Sequence, residues 1–459
     1  MPGATCHTLC PLVLIGDNAR TWSTLPCRPS LPTMNLIKKN VLYLTALQGL
    51  NYVLPLVTVV YLVRIFGPAG YGKLALAQAF VQAFGVLVDF GFALSATRMV
   101  AQNQDNPSQV RSVFRSVIVA KSLLAAAAFP VMFAIAWAVP SLRSNLLLCC
   151  AYYLSILGGV FIPGWLYQGF QRMGVFTLIT ALPRILSTLA ILSFVRHDDQ
   201  LLLAALLLSA APLLCAVAAL THCRKWLGLS VGFVRLREVR AQFQAGWHVF
   251  LATAAGAIYL LSPIFVLGLL APPTQVGYFA AAERLIKAAL NLFNPISQAL
   301  YPHLARLFIE SRRGALRLLG QILLLVLACY GLLAVVCQIL PGDILNLAFG
   351  PRFVQADIVL RVLAFYALLS TVNNISGALY LVPLNQGSTL SSSVVVPTAL
   401  HLVLIYPVAL AFGSAGIAAL LVATELAILT MRVSVTFRRD PGDLRQIARG
   451  CLHPMSQST

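Results

Sequence analysis

The sequence is poor in charged residues, and acidic residues are its scarcest class. Only 10% of its 459 residues are charged, with 13 Asp and Glu together, whereas soluble domains contain about 25% charged residues. In contrast, 59% of the residues are hydrophobic and the mean hydropathy is +0.86. These values exclude a water-soluble enzyme.

The sequence also lacks the patterns of metal sites, disulfide frameworks and nucleotide hydrolysis. Its ten cysteines include no C-x-x-C pair and no His/Cys cluster at zinc-ligand spacing. It contains no G-x-x-x-x-G-K-[ST] loop, H-E-x-x-H motif or Ser/His/Asp arrangement. We therefore predict no metal, no cofactor and no enzymatic activity, which leaves transport as the expected function.

Apolar runs of about 20 residues follow one another along the chain, and each is long enough to cross a hydrocarbon core of about 30 Å. They are continuous Leu, Ala and Val runs, unlike the alternating segments of about ten residues in a transmembrane barrel. The sequence therefore predicts an all-α polytopic membrane protein with about twelve spans. The spans are expected at 41–63, 74–99, 114–139, 145–167, 175–195, 200–221, 247–270, 278–301, 317–340, 359–382, 389–411 and 414–433.

An even number of spans places both termini on one side of the membrane. The loops on that side contain 18 Lys and Arg residues, and the loops on the opposite side contain five. Because basic residues concentrate in cytoplasmic loops, we expect both termini in the cytoplasm. The same bias explains the net charge of +19 without a nucleic-acid partner.

The longest internal connection, 222–246, carries five basic residues and one acidic residue and divides the spans into two groups of six. We expect an N-terminal lobe at 34–221, a basic cytoplasmic linker at 222–246, a C-terminal lobe at 247–433 and a cytoplasmic tail at 434–459. Residues 1–33 have no sustained apolar run, whereas Met34 shortly precedes two lysines and the first span. Met34 is therefore the expected start, and 1–33 a disordered leader or a translation artefact.

The two halves share a short similarity. Segments 66–72 and 271–278 are Pro-containing turns with a Gly-Tyr pair, each leading into an apolar helix. Beyond the tyrosines, the two halves are aligned with a shift of two residues. This alignment pairs polar residues of the second and eighth spans: Gln78 with Glu283, Gln82 with Lys287, and Asp89 with Asn294. Many transporters are built from such repeats, with the substrate site at their interface.

Charged residues inside spans are functional candidates, since each costs at least about 2.5–3.5 kcal/mol unless it faces a cavity or a partner. At about 100° per residue, six polar residues form one stripe on the eighth span: Glu283, Lys287, Asn291, Asn294, Gln298 and Tyr301. Glu283 and Lys287 are spaced i,i+4, so the alternative to a functional role is that they form an ion pair and neutralise each other. Arg284, one position aside, has no acid at that spacing, which favours a role facing an anion.

Further polar residues lie in other predicted spans. Gln78, Gln82 and Asp89 form a smaller stripe on the second span, and we expect them to face one cavity; interhelical hydrogen bonding is the alternative for the glutamines. Lys121 and Arg184 are single cations within apolar runs, and snorkelling to an interface is the alternative for Lys121.

Four blocks of the sequence, 66–72, 89–98, 277–285 and 295–302, resemble the polysaccharide biosynthesis export proteins, specifically the Wzx-type O-antigen flippases. The similarity covers about residues 35–435. It implies two six-helix lobes in a V-shaped bundle around a central cavity, as in the multidrug/oligosaccharidyl-lipid/polysaccharide exporter superfamily. It also implies transport of a polyprenyl-diphosphate-linked oligosaccharide from the cytoplasmic to the periplasmic leaflet of a bacterial inner membrane, next to other glycan-assembly proteins.

The cargo implied by this resemblance gives the polar residues their expected roles. A diphosphate requires cations, with Arg suited to bidentate contact and Lys to a point-charge contact, and sugars require polar walls. We therefore expect the cargo to contact Arg98, Lys121, Arg184, Arg284, Lys287, Asn291, Asn294 and Gln298. Because superfamily relatives run on ion gradients, Asp89 and Glu283 are the expected ion-coupling residues.

Two other functions remain as alternatives. A drug or small-molecule cation antiporter of the same superfamily would share the twelve helices, although the four blocks fit the polysaccharide branch better. A membrane-embedded glycan polymerase usually has a large periplasmic loop, and no predicted external loop here exceeds about 20 residues.

Overall fold

The computed structural model describes residues 34–230, 232 and 234–452, so the expected leader at 1–33 lies outside the described residues. The chain divides into a unit of residues Met1–Thr45 and a compact unit of residues Ala46–Thr459. In the first unit, the described residues form the beginning of one helix. All contacts given below lie within the second unit.

Helices without any strand make up the secondary structure of the described residues, which confirms the all-α prediction. The first half contains α1 (Met34–Asp89), α2 (Phe92–Gln102), α3 (Pro107–Ala138), α4 (Pro140–Arg143), α5 (Leu146–Val160), α6 (Gly164–Gly169), α7 (Met173–Phe194) and α8 (Leu201–Leu227). The second half contains α9 (Leu236–Leu270), α10 (Pro273–Glu310), α11 (Arg312–Ile339), α12 (Pro341–Phe349), a 3-10 helix (Pro351–Ala356), α13 (Asp357–Asn374), a π-helix (Ile375–Leu381), α14 (Gly387–Arg439) and α15 (Pro441–Leu452).

Nine helical segments in the described part of the chain are long and apolar enough to cross a membrane. Large apolar side chains on their outer faces are exposed, for example Val403 at 72% and Phe412 at 71%, as expected of surfaces that contact lipid. The protein is therefore a multi-pass membrane protein. The count of twelve spans and their division into two lobes stay predictions.

Two of the long helices are interrupted by a glycine with a left-handed backbone. Gly67 in α1 has a φ of 63°, and Gly413 in α14 has a φ of 57°. Glycine adopts this conformation readily because it has no Cβ. Each of these helices therefore consists of two helical segments in different directions, at positions where the sequence predicts the loop between two spans.

The expected linker at 222–246 is largely helical. Helix α8 continues to Leu227, where Gly228 adopts a left-handed cap with a φ of 62°, and α9 begins at Leu236. Arg224 and Lys225 lie in the last turn of α8, where cations stabilise the negative end of the helix dipole. This explains why α8 extends beyond its apolar run.

The second segment of α1 and helix α10 begin alike and contact each other at their first turns. Each has a proline there, Pro68 and Pro273, followed four residues later by a glycine, Gly72 and Gly277. A side chain on Gly72 would overlap the carbonyl oxygen of Pro273, and a side chain on Gly277 would overlap that of Pro68. Only glycine permits so close a backbone approach.

This reciprocal contact bears on the similarity between the two halves. It matches Pro68 with Pro273 and Gly72 with Gly277, an offset of 205 residues. The same offset pairs Gln78 with Glu283, so the geometry favours this register over the register that aligns the Gly-Tyr pairs.

Candidate functional site

Three cavities adjoin one another along the two segments of α1. Cavity 1, of about 390 Å³, lies between residues 53–59 of α1 and residues 284–292 of α10. Cavity 2, of about 330 Å³, is enclosed by α1, α5, α7, α8 and α10. Cavity 3, of about 320 Å³, lies between α1, α5 and α9.

The cavities are connected through shared lining residues. Arg284, Pro55 and Val59 line both cavity 1 and cavity 2, and Gln82 lines both cavity 2 and cavity 3. The three therefore form one row, and several residues predicted to contact the cargo lie along it.

Arg284 occupies the boundary between cavities 1 and 2. Its Nη2 donates to Gln78 Oε1 at 3.3 Å, and the buried Tyr71 lines cavity 2 together with it. Arg284 therefore has a partner although no acid lies at i,i+4 spacing, because this partner belongs to α1. A guanidinium has five N–H donors, so this hydrogen bond leaves donors for an anion.

Arg184 lines cavity 2 together with Arg284 and Gln78. It projects from α7 beside Pro183, which lies within the helix. On the same wall, the hydroxyl groups of Thr58 and Thr188 are hydrogen-bonded at 3.1 Å. Cavity 2 thus combines two guanidinium groups with hydroxyl and amide groups, a combination suited to an anion and to sugars.

Asp89, the last residue of α1, lines cavity 3 and is paired with Lys121 of α3. The Asp89 Oδ1 to Lys121 Nζ distance is 2.7 Å, and the same ammonium donates to the carbonyl oxygen of Gly159 at 3.3 Å. The Lys121 side chain is only 7% exposed, whereas that of Asp89 is 63% exposed. The burial of this side chain and its pair with Asp89 favour an interior position for Lys121 over snorkelling to an interface.

Asp89 is positioned by a break between α1 and α2. Phe90 and Gly91 both have positive φ values, 41° and 70°, which end the helix directly after the carboxylate. A side chain on Gly91 would overlap the backbone nitrogen of Phe250 in α9. Close packing against α9 thus fixes the place where α1 stops.

On α10, Glu283 and Lys287 form the intrahelical pair that their spacing allows, with Glu283 Oε1 2.9 Å from Lys287 Nζ. The Glu283 side chain is 6% exposed, and that of Lys287 is 34% exposed. Lys287 and Asn291 line cavity 1, and Asn294 donates to Asn291 Oδ1 at 3.3 Å. The first half of the stripe therefore faces a cavity and is internally neutralised.

Four of the eight residues predicted to contact the cargo line none of the three cavities. Lys121 and Asn294 are bonded to lining residues, Asp89 and Asn291. Arg98 on α2 and Gln298 on α10 are exposed, and neither lines any of the three cavities. Beyond Asn294 the α10 stripe is exposed at Gln298 and Tyr301, whereas the neighbouring Ser297 donates to Asn374 Oδ1 at 2.8 Å. The second half of the stripe thus lies outside the row of cavities.

A second polar cluster lies buried between α13 and α14. Asn373 Nδ2 donates to Glu425 Oε2 at 2.6 Å, and Arg432 donates to the Asn373 carbonyl oxygen and to the hydroxyl of Ser376 in the π-helix. Each charged group of the cluster is thus hydrogen-bonded across helices. The cluster stabilises the junction of α13 and the π-helix rather than lining the row of cavities.

Sequence reasoning missed Tyr71, Tyr152, Thr58 and Thr188 in cavity 2 and Arg432 in the buried cluster. Tyrosine and threonine are common in apolar spans, so nothing in their spacing distinguishes them. Arg432 lies at the end of a predicted span, where an arginine is ordinary. The one signal that points toward Tyr71 is its position next to Gly72, which corresponds to Gly277 in the alignment of α1 with α10.

A multi-pass helical protein with a row of connected, cation-lined cavities has the features of a transporter. The chain belongs to the polysaccharide biosynthesis protein family, whose sequence model matches residues 37–308. A relative from Escherichia coli (strain K12), named "Putative O-antigen transporter", is 29% identical over 397 residues, which cover 86% of this chain and 95% of the relative. The family expected from the four sequence blocks is thereby confirmed.

Two solved structures share the fold. The inward closed conformation of the lipid II flippase MurJ has a TM-score of 0.67 and 13% identity, and the match covers 90% of each chain. The inward-facing conformation of a multidrug resistance MATE family transporter of the MOP superfamily has a TM-score of 0.62 and 13% identity, and the match covers 88% of this chain and 96% of that chain. These likenesses show that the chain shares the fold of both structures.

Proposed function

We propose that this protein is a flippase that moves a polyprenyl-diphosphate-linked oligosaccharide from the cytoplasmic to the periplasmic leaflet of a bacterial inner membrane by alternating access. Its O-antigen transporter relative and its membership of the polysaccharide biosynthesis family support this cargo class. Both termini face the cytoplasm in this proposal, as the distribution of basic residues predicts. The protein binds and moves its cargo without chemical change, so it is not an enzyme.

The observation that carries the proposal is the position of Arg284 between cavities 1 and 2. Arg184 shares cavity 2 with it, and Lys287 shares cavity 1, so three cations lie along two connected spaces. An anionic diphosphate in these cavities interacts favourably with all three, and fixed guanidinium groups act strongly at low dielectric. The hydroxyl and amide groups of cavity 2 supply hydrogen bonds for sugars.

The same charges argue against the antiporter of cationic drugs. A cationic substrate in cavity 2 would be repelled by both Arg184 and Arg284, and no carboxylate is among the residues that line this cavity. Like charges at short range in a medium of low dielectric are strongly unfavourable. The MATE-like fold therefore serves an anionic cargo in this chain.

The test is transport by Arg284 variants in proteoliposomes loaded with a polyprenyl-diphosphate-linked oligosaccharide. Arg284→Ala should lower the transport rate at least tenfold, and Arg284→Lys should recover part of it, because lysine keeps the charge but loses the bidentate contact. Membrane insertion should stay normal, since Arg284 is half-buried beside a cavity.

Arg98→Ala is the matched control, because Arg98 is an exposed in-span arginine outside the row of cavities. It should transport at the normal rate. Normal transport by Arg284→Ala at an ordinary membrane level would remove the main support for an anion-binding cavity. Reporter fusions at Arg439 and within 222–246 test the orientation, and a periplasmic signal from either would reverse it.

A further inference from the structure

A fourth cavity, the apolar groove, opens between the second segment of α1 and helix α9. It has a volume of about 340 Å³. Its walls combine bulky side chains with four alanines, which leave room between the helices. The lining residues from α1 are Ala79, Phe80, Ala83, Phe84, Val86 and Leu87, and those from α3 and α9 are Ile135, Ala254, Ala257, Ile258, Leu261, Ser262 and Phe265.

The groove offers no polar partner to a ligand. Ser262 is the one polar residue of its lining, and the Ser262 hydroxyl already donates to the carbonyl oxygen of Tyr259 at 3.0 Å. Phe80 and Phe265 stack across the groove with ring centroids 6.0 Å apart and form a firm inner wall. An occupant of this groove must therefore be apolar.

The groove also adjoins the row of polar cavities. Val86 and Leu261 line both the groove and cavity 3, where Asp89 is paired with Lys121. Cavity 3 in turn adjoins cavity 2 through Gln82. A molecule that extends from the groove into these cavities must combine an apolar chain with a polar, anionic head group.

The first segment of α1 borders a space of different character. Cavity 1 lies between this segment and α10 and is lined by Arg284, Lys287 and Asn291. An apolar chain there would cover these polar side chains with hydrocarbon and deprive their remaining N–H donors of water, which is costly. The two segments of α1 thus border spaces for different ligands, a polar one beside α10 and an apolar one beside α9.

We infer that the apolar groove between α1 and α9 holds the polyprenyl chain of the cargo while its diphosphate and sugars occupy the polar cavities. This inference rests on the proposed flippase function and adds to it the route of the lipid. The chain leaves the protein through the lipid-facing edge of the groove, where Leu87 and Ile258 are 44% and 53% exposed.

Photocrosslinking in the full-length protein tests the route directly. Benzoylphenylalanine replaces Ile258 in the groove, Leu292 in cavity 1, or Leu332 on the outer face of α11, all of which are exposed apolar residues. The proteins are irradiated in phospholipid vesicles that contain a radiolabelled polyprenyl diphosphate. The label should attach to the Ile258 variant at least fivefold more than to the other two, and excess unlabelled polyprenyl diphosphate should compete.

Two outcomes would overturn the inference. Preferential labelling at Leu292 would place the chain beside α10. Equal labelling at all three positions, or labelling at Ile258 that excess phospholipid abolishes equally well, would mean that the groove holds ordinary membrane lipid.

Filling the groove provides a second, functional measurement. Ala83→Trp and Ala257→Trp should each lower transport at least tenfold at a normal membrane level, and Leu332→Trp, which places a tryptophan on an outer face, should not. If the unaltered protein moves no lipid-linked oligosaccharide in this assay, the proposed function itself fails. If the unaltered protein transports and both groove variants do so at the same rate, only the route of the chain is refuted.

Discussion

The second segment of α1 and helix α10 are built on one plan and carry different charges. Both begin with a proline and place a glycine four residues later against the other helix. At the offset of 205 residues, Gln82 corresponds to Lys287 and Asp89 to Asn294. The charges of α10 thus lie at the beginning of its stripe, and that of α1 lies at the end of the helix.

The two helices neutralise their charges in different ways. Glu283 and Lys287 lie on the same helix, so their ion pair moves with α10 and is the same in every conformation. Asp89 and Lys121 lie on different helices, so their pair breaks whenever α1 and α3 separate. Since only the interhelical pair changes its distance when helices separate, we propose Asp89 rather than Glu283 as the ion-coupling residue.

The largest expected effect follows from breaking the α10 pair. Lys287→Met leaves the Glu283 carboxylate buried without its partner, which costs about 3–5 kcal/mol, whereas Glu283→Gln leaves a lysine that reaches cavity 1. The membrane level of Lys287→Met should therefore fall several-fold below that of Glu283→Gln, as quantitative immunoblotting of membranes measures.

The double variant Glu283→Gln with Lys287→Met separates structure from cargo binding. Its membrane level should return to normal, because no buried charge is left unpaired. Its transport rate per molecule should stay low if Lys287 contacts the diphosphate. Full recovery of transport would assign this pair a purely structural role.

In the Asp89–Lys121 pair, replacing the acid should be more damaging than replacing the base, the reverse of the pair on α10. Here the buried member is the cation, so Asp89→Asn should lower the membrane level more than Lys121→Met does. The effect should be smaller than in α10, because the Gly159 carbonyl oxygen still accepts a hydrogen bond from Lys121. The same immunoblots measure it, and an equal loss from both changes would contradict the assignment of burial.

Ion coupling sharpens the comparison further. In proteoliposomes with an imposed ion gradient, transport by Asp89→Asn should lose its dependence on the gradient. Transport by Glu283→Gln, measured per inserted molecule, should keep it. The reverse result would identify the α10 carboxylate as the coupling group.

The glycine contact shared by both helices should give an intermediate effect. Gly277→Ala forces a methyl group into the carbonyl of Pro68, and overpacking of this kind costs about 1–3 kcal/mol. Conformations in which the two helix ends are in contact should lose population, so transport should fall about tenfold. Gly331→Ala is the control, since nothing lies within 4 Å of a Cβ at Gly331. Equal activity of the two variants would show that the contact is not required.

The sequence predicted the helical class and most cations of the row because both depend on local patterns. Long apolar runs specify spans, and charges within them rarely lack a cavity or a partner. The partners themselves follow from tertiary packing. The contacts of Arg284 with Gln78 and of Lys121 with Asp89 join helices that are distant in sequence, and no periodicity within one helix encodes them.

The misplaced residues have a related cause. Gln298 lies on the same geometric stripe as Glu283, yet α10 is 38 residues long and its neighbours change along its length. A stripe calculated from 100° per residue predicts which residues share one face of a helix. It does not predict which neighbouring helix or cavity that face contacts. The apolar groove, formed by ordinary alanines and phenylalanines, leaves no distinguishing pattern in the sequence.

The smallest expected effect concerns the part of the α10 stripe that lies outside the cavities. Gln298 is exposed and lines none of the three cavities, so Gln298→Ala should change stability by less than about 0.5 kcal/mol. Its transport rate should stay within twofold of normal, whereas Asn291→Ala, on the same stripe within cavity 1, should lower the rate several-fold. A larger loss from Gln298→Ala than from Asn291→Ala would mean that the cargo path runs along the whole stripe and that α10 exposes its second half during transport.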